Sequence, residues 1–312
     1  MRIIFRLLVS CLLFGYLAFW VNWTVLIEAF QTIDLNLYLI STLFALSTTI
    51  SISAKFYVLI KNTTIARSFF SMVKINFISR FYGLFLPSSV GKATARWYLI
   101  TENKKGRSFF LAATIFERTT FILTLLVFCS IALFVYSYHP FVIRMKSYLW
   151  PAILLLFAVT LFVMTYLLHP ALHYRVKIFI GAMAKRYDKL EAVEKFVENF
   201  SLKNRSGTLL GTLLTISIIW YILFIFRMYF IFQSLAVPIP FHDIVWMCSL
   251  VLLIQMIPVS FAGIGVREGA YAFLLTTSNL PAERGVLIGI LFFSQMLIFA
   301  VVGGFFELLK TE

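Results

Sequence analysis

Long apolar stretches separated by short polar connections dominate the chain. About 20 apolar residues in a helix cross the roughly 30 Å core of a bilayer. Seven stretches approach or reach this length, and Pro258 shortens the sixth. They are Leu7–Val25, Leu37–Ile60, Thr119–Tyr136, Tyr148–Leu168, Thr208–Phe232, Ile244–Ile257 and Val286–Leu308. The pattern predicts an all-α, polytopic bundle of transmembrane helices.

Two further apolar segments are interrupted by polar residues, prolines and glycines. Phe69–Ile100 contains Lys74, Arg80, Pro87, Gly91 and Arg96, and Val259–Thr276 contains Gly263, Gly265, Arg267, Glu268 and Gly269. Irregular backbone at membrane depth is tolerated only where protein or a water-filled cavity satisfies its polar groups. We therefore expect about seven or eight spans, plus two broken or re-entrant segments that form a pseudo-repeat.

Composition excludes a soluble enzyme, a coiled coil and a disordered chain. Hydrophobic residues make up 61% of the sequence, only 13% is charged, and the mean hydropathy is +0.94, whereas a soluble domain is about 25% charged. The three cysteines lie in apolar runs without metal or redox spacing. We expect a single membrane domain over residues 1–312, with broken segments at 69–100 and 258–278, and neither a metal nor a cofactor.

The net charge of +14 comes mainly from segments between the spans. Two cations lie at the N-terminus, nine between residues 61 and 107, and eight between residues 169 and 207, whereas residues 24–36 and 233–243 have none. The positive-inside rule places the N-terminus and both basic regions in the cytoplasm, and the membrane would be the plasma membrane, the inner membrane of a bacterium. Phe69–Ile100 must then enter and leave on the cytoplasmic side, and nucleic acid is not an expected partner.

Residues 169–207 form the longest polar stretch and predict an amphipathic helix on the cytoplasmic face. Bulky residues recur at spacings of three and four: Tyr187, Leu190, Val193, Phe196, Val197 and Phe200. A solvated connector helix and a helix that contacts anionic lipid both fit this pattern.

The two interrupted segments share a motif. When Pro87 is aligned with Pro258, serines follow two residues later (Ser89 and Ser260) and arginines nine residues later (Arg96 and Arg267). Paired interrupted segments in two halves of a chain indicate the binding site of a transporter, and a helix that starts after such a break attracts anions. The predicted structural breaks are Pro87, Ser89, Gly91, Pro258, Ser260, Gly263 and Gly265.

Several ionisable residues lie in or beside apolar stretches: Lys55, Arg80, Arg96, Glu117, Arg118, Arg227, Arg267, Glu268 and Glu307. Each charge at membrane depth costs about 2.5–3.5 kcal/mol and needs a partner or water. Three carboxylates cannot neutralise six cations, so we predict a bound anion, for which phosphate suits the arginine fork. The candidate binding residues are Arg80, Arg96, Glu117, Arg118, Arg267 and Glu268. Snorkelling to the interface is the alternative, foremost for Lys55 and Arg227.

The segment IPVSFAGIGVREGAYAFLL (257–275) resembles the signature of the lysylphosphatidylglycerol synthetase transmembrane-domain family, also called the flippase-like membrane proteins. The residues that match it are Pro258, Ser260, Gly263, Gly265, Val266, Arg267 and Glu268; an upstream block matches at Pro87, Gly91 and Arg96, and a Glu-Arg pair at Glu117 and Arg118. The sequence departs from the family pattern at three positions. Lys92 stands where a second glycine is usual, Ala262 precedes Gly263, and Thr120 stands near the position where an aspartate often follows the Glu-Arg pair. The resemblance implies the membrane module alone. Aminoacyl transfer is not implied, because the members that perform it carry an additional soluble C-terminal domain.

The expected function is the translocation of an anionic or phosphate-bearing lipid between leaflets, without enzymatic chemistry. One alternative is a membrane enzyme, or its accessory subunit, that modifies lipid-linked sugars or lipid headgroups; Glu117 or Glu268 would then be the acid–base residue. Another is a regulatory subunit that recruits partners through residues 169–207. An oligomer is compatible with the sequence. The identity of the lipid, the direction of movement and the side of the C-terminus stay open.

Overall fold

The computed structural model describes residues 23–63, 65–85, 89–101, 107–135, 140–168, 207–256 and 265–309, and these ranges contain α-helices and no β-strand. In chain order the helices are α1 (Trp23–Gln31), α2 (Leu35–Ile60), α3 (Phe69–Phe85), α4 (Ser89–Ile100), α5 (Arg107–Val135), α6 (Pro140–Leu168), α7 (Gly207–Ser234), α8 (Phe241–Gln255), α9 (Val266–Thr277) and α10 (Ala282–Leu308). The predicted amphipathic segment 169–207 falls almost entirely outside the described residues and stays a prediction.

The long apolar helices confirm an all-α, multi-pass membrane protein. Five described segments are long and apolar enough to cross a bilayer: Leu35–Ile60, Ala113–Val135, Ser147–Thr165, Gly207–Ser234 and Ala282–Leu308. They coincide with five of the seven predicted stretches. The sixth stretch is the apolar helix α8, whose 15 residues are about 22 Å long. Of Leu7–Val25, only the last three residues are described, at the start of α1.

The first interrupted segment is a pair of antiparallel helices, α3 and α4, which we call the first hairpin. A β-carbon on Gly83 would collide with Cγ of Lys92, so these residues are in contact near the turn. Leu99 lines the same cavity as Ile75 and Ile78 at the other end of the pair. The outer ends of the hairpin therefore lie at the same end of the bundle, as a re-entrant segment requires.

The turn of the first hairpin is shorter than the sequence predicted. Pro87 lies outside the described residues, within the gap at 86–88. Ser89 and Gly91 were predicted as breaks, but both fall in the first turn of α4. This part of the prediction is wrong because proline restricts its own backbone and that of the residue before it, and it is compatible with a helix that starts directly after it.

The second interrupted segment also ends in a 12-residue helix, α9. Pro258, Ser260 and Gly263 lie outside the described residues, whereas Gly265 precedes α9 with a φ of 83°, in the left-handed region that favours glycine. The two breaks differ in register. Arg267 is the second residue of α9, but Arg96 is the eighth residue of α4, so the shared spacing from proline places the two arginines at different positions in their helices.

Helix α10 packs against both interrupted segments through its glycines. A β-carbon on Gly303 would collide with the backbone of Phe77 in α3, and one on Gly285 would collide with the backbone of Tyr271 and Ala272 in α9. Glycine at a helix interface lets two backbones approach closely in a membrane. Helix α10 is therefore the element that α3 and α9 share.

Candidate functional site

A cavity of about 270 Å³ lies between helices α2, α3, α4 and α5. We call it the basic cavity, because four of the described residues that line it are cations. Its lining residues are Thr49, Ile52, Asn76, Ser79, Arg80, Lys92, Ala93, Arg96, Thr114, Glu117 and Arg118. The structure thus brings together four of the six predicted binding residues, Arg80, Arg96, Glu117 and Arg118, from three different helices.

The single carboxylate among the described lining residues already has a partner. Glu117 Oε1 lies 3.1 Å from Nζ of Lys55, which also donates to the Glu117 carbonyl oxygen at 3.3 Å. Lys55 is only 2% exposed and does not line the cavity. The snorkelling alternative is therefore wrong for Lys55, and the charge of Glu117 is balanced from outside the cavity.

Arg80 and Arg96 contact aromatic rings and hydroxyl groups instead of carboxylates. Arg80 donates to Thr49 Oγ1 at 2.9 Å, and its guanidinium carbon lies 5.7 Å from the ring centroid of Phe299 in α10. The guanidinium carbon of Arg96 lies 4.2 Å from the ring centroid of Phe56, and its Nε is buried without a hydrogen-bond partner among the described residues. Arg96 therefore keeps a donor that an anion could accept from.

Lys92 lines the cavity from the first turn of α4 and was not among the predicted binding residues. Its aliphatic stem lies against Gly83, and it lines the same cavity as Arg80, Arg96 and Arg118. The sequence held a signal for Lys92, because a lysine replaces a glycine that is usual in the resembling family.

Arg267 and Glu268 form a second charged cluster at the start of α9. Arg267 donates to Glu268 Oε1 from Nε at 3.1 Å and from Nη2 at 2.5 Å, and Glu268 Oε2 accepts from the backbone N–H of Gly265 at 2.8 Å. Arg267 is 1% exposed, and its guanidinium carbon is 4.8 Å from the ring centroid of Phe292. The carboxylate thus neutralises the arginine and satisfies a backbone donor at the helix start.

Arg227 is also buried in the bundle and is not a snorkelling residue, because only 5% of it is exposed. It donates to Oε1 of Gln295 at 2.7 Å and to the carbonyl oxygen of Phe292 at 3.3 Å. Its guanidinium carbon lies 3.8 Å from the centroid of the Phe292 ring, which also contacts Arg267. Phe292 and Gln295 were not among the predicted residues, since both look like ordinary residues of an apolar span.

The two charged regions differ in how their charges are balanced. Among the described residues, no carboxylate lies within ion-pair distance of the cavity cations Arg80, Lys92, Arg96 and Arg118. No group of three His, Cys, Asp or Glu side chains in the same ranges is arranged to hold a metal ion. The chemistry that this arrangement offers is the binding of an anion.

These features define a multi-pass, all-α membrane protein with a cation-lined cavity between its helices. The model of the lysylphosphatidylglycerol synthase TM region matches residues 3–304, and the chain belongs to that family. The match confirms the resemblance to this family over nearly the whole chain. Membership connects the protein to lipid metabolism or lipid translocation. No curated protein and no solved structure matches the chain.

Proposed function

We propose that the protein moves an anionic or phosphate-bearing lipid between the leaflets of the membrane. The observation that carries the proposal is the excess of positive charge in the basic cavity, where four cations surround a carboxylate that is already bound to Lys55. Unpaired charges inside a membrane protein are costly and mark a pathway for an ion or a substrate. The family of the chain agrees with lipid as the substrate.

In this mechanism the headgroup enters the basic cavity while the acyl chains stay in the surrounding lipid. Arg96 donates to the phosphate from its unpartnered Nε, and Lys92 and Arg80 supply further positive charge. The cavity opens to one leaflet at a time, and the lipid moves down its own gradient or is driven by an ion gradient. No step forms or breaks a covalent bond.

The cluster on α9 has a different role in the proposal. Glu268 holds Arg267 while no lipid is bound, and Arg267 turns to the phosphate when the headgroup passes. Gly265 keeps the backbone N–H of the helix start in contact with the carboxylate. The protein lies in the plasma membrane with its N-terminus in the cytoplasm, so that the outer ends of the first hairpin face the cytoplasm.

Reconstitution in liposomes tests the function. Fluorescent phosphatidic acid and phosphatidylglycerol are added, and the fraction that a membrane-impermeant quencher reaches is followed in time. We expect the intact protein to speed the exchange of at least one of the two lipids, and Arg96→Ala to slow it at least tenfold. Arg144→Ala is the matched control, because Arg144 is exposed on α6.

Two results would contradict the proposal. The first is an exchange rate for Arg96→Ala equal to that of the intact protein, which would remove the basic cavity from the pathway. The second is exchange no faster than in empty liposomes for both lipids. Mass spectrometry of the lipids after the assay is expected to show unchanged masses, whereas a new mass would favour an enzyme that modifies headgroups.

A further inference from the structure

The charge of the basic cavity exceeds what a common phospholipid headgroup neutralises. A phosphodiester such as phosphatidylglycerol brings a single negative charge, whereas a phosphomonoester carries about two near neutral pH. The four cations of the cavity come from three helices and do not pair with a carboxylate among the described residues. Arg118 is exposed, but a singly charged headgroup would still leave most of the positive charge of Arg80, Lys92 and Arg96 unbalanced.

Cations from different helices also surround the cavity on several sides. Lys92 and Arg96 come from α4, Arg80 from α3 and Arg118 from α5. Arg80 and Arg96 differ in what they still offer, since Arg80 already donates to Thr49 and the Nε of Arg96 has no partner among the described residues. Donors that surround a ligand in this way suit a group with several anionic oxygens.

Asn76 adds an acceptor to this cation-lined wall. It is 2% exposed, and its Nδ2 donates to Ser53 Oγ at 2.7 Å. The hydroxyl of Ser53 donates to the carbonyl oxygen of Thr49 at 2.9 Å, so Ser53 accepts from Asn76 and fixes the orientation of the amide. The remaining oxygen, Oδ1, is buried without a hydrogen-bond partner among the described residues.

A buried acceptor without a partner destabilises the protein until a donor reaches it. A fully deprotonated phosphate cannot supply that donor, but a hydroxyl group beside the phosphate can. The volume of about 270 Å³ lies just below the usual range of small-molecule sites, which is about 300–1,000 Å³. It therefore suits a compact polar headgroup and leaves the acyl chains outside.

We infer that the basic cavity selects lipids whose headgroup carries about two or more negative charges, as a phosphomonoester or diphosphate does, beside a hydroxyl group that donates to Asn76. The inference rests on the proposed function for lipid as the source of the phosphate. Lys92 is the residue that sets the preference for charge, and Asn76 is the residue that senses the hydroxyl group.

Equilibrium binding to the full chain in detergent tests the preference for charge. The probes are phosphatidic acid, a phosphomonoester, and phosphatidylmethanol, a phosphodiester without a free hydroxyl group, with the same acyl chains. We expect phosphatidic acid to bind about tenfold more tightly, because a hydrogen bond to a charged group contributes roughly that factor. Equal affinities for the two lipids would overturn the inference.

Variants of Lys92 assign the preference to the cavity. Lys92→Met keeps the aliphatic stem against Gly83 and is expected to lower the preference to about twofold or less, whereas Lys92→Arg keeps the charge and the preference. Lys74→Met is the matched control, because Lys74 is exposed on the first hairpin and does not line the cavity. A full preference in Lys92→Met would exclude Lys92 as its cause.

Lysophosphatidic acid and its 2-O-methyl ether test the hydroxyl group. We expect the free hydroxyl to improve binding to the intact protein about fivefold, as one hydrogen bond does, and to make no difference in Asn76→Leu. Equal binding of the two probes to the intact protein would overturn the role of Asn76. Thermal unfolding of Asn76→Leu without lipid shows that a lost difference is not a lost fold.

Soluble glycerol 3-phosphate distinguishes the two sources of phosphate. It is expected to displace lysophosphatidic acid only at concentrations about a hundredfold higher, since it lacks the acyl chain that stays in the bilayer. Displacement at equal concentrations would identify a soluble phosphate compound as the ligand and overturn the lipid assignment. Binding preference without faster lipid exchange in liposomes would leave the inference standing and contradict the proposed function.

Discussion

The basic cavity and the Arg267–Glu268 cluster are both rich in charge, but only the Arg267–Glu268 cluster is neutral by itself. Glu268 binds Arg267 and the backbone of Gly265, so the cluster is closed and nearly free of exposure to solvent. The cavity cations lack such a carboxylate, because Glu117 is bound to Lys55. The most conspicuous motif of the sequence thus forms a pair that is neutral without a ligand, whereas the cavity cations have no such partner among the described residues.

The largest effect that tests this comparison is expected from Glu268→Ala. The substitution leaves the buried Arg267 without its carboxylate, and breaking such a pair costs about 3–5 kcal/mol of the free energy of unfolding. Thermal unfolding in detergent measures the loss, with Glu28→Gln as a control on the exposed side of α1. The double variant Arg267→Met/Glu268→Gln should recover a large part of the loss; a double variant as unstable as Glu268→Ala would contradict the closed pair.

A smaller loss of stability is expected from a substitution where α10 contacts the first hairpin. Gly303→Ala places a β-carbon against the Phe77 backbone, which cannot move aside, and such overpacking costs about 1–3 kcal/mol. Gly304→Ala is the matched neighbour, since its β-carbon would lie 3.1 Å from the ring of Phe81, a side chain that can shift. Unfolding temperatures should rank Gly303→Ala below Gly304→Ala, and the reverse order would contradict the close approach of α10 and α3.

The smallest effect on stability is expected in the basic cavity itself. Arg80→Met removes a charge that has no carboxylate partner among the described residues and a contact with Phe299 that is worth about 0.5–1 kcal/mol, so the free energy of unfolding should change by no more than about 1 kcal/mol. Lipid binding should nevertheless weaken severalfold. A loss of stability comparable to that of Glu268→Ala would show that the cavity arginines are structural and would erase the distinction between the two regions.

The sequence predicted the parts of the fold that depend on local composition. Apolar length located the spans, and the cations between residues 61 and 107 required the first hairpin to return to the side from which it entered, as α3 and α4 do. The prolines located the breaks but not their lengths. Helix α4 starts two residues after Pro87 and α9 eight residues after Pro258, so an alignment on the prolines could not place Arg96 in its helix.

The pairing of charges could not be predicted, because it depends on packing between distant helices. Lys55 and Glu117 lie 62 residues apart in the chain, and the sequence alone does not tell which cation reaches which carboxylate. The pair of Arg267 and Glu268 has a local cause that the sequence contains. Adjacent residues face different directions along a helix, but a Gly-x-x-Glu start lets the carboxylate fold back over the first turn. Lys92 was not predicted as a binding residue, although the sequence shows it at a position where a glycine is usual in the family.

Helix α10 places Phe292 against Arg267 and Phe299 against Arg80, two turns apart on one helix. If the binding of a headgroup in the cavity displaces α10, the contact between Phe292 and Arg267 at the start of α9 would change as well. Thermodynamic linkage makes any such coupling reciprocal: the factor by which a lipid loosens the Arg267–Glu268 pair equals the factor by which a looser pair improves the affinity for that lipid. Substitutions that loosen the Arg267–Glu268 pair are therefore expected to change the binding constant of the lipid.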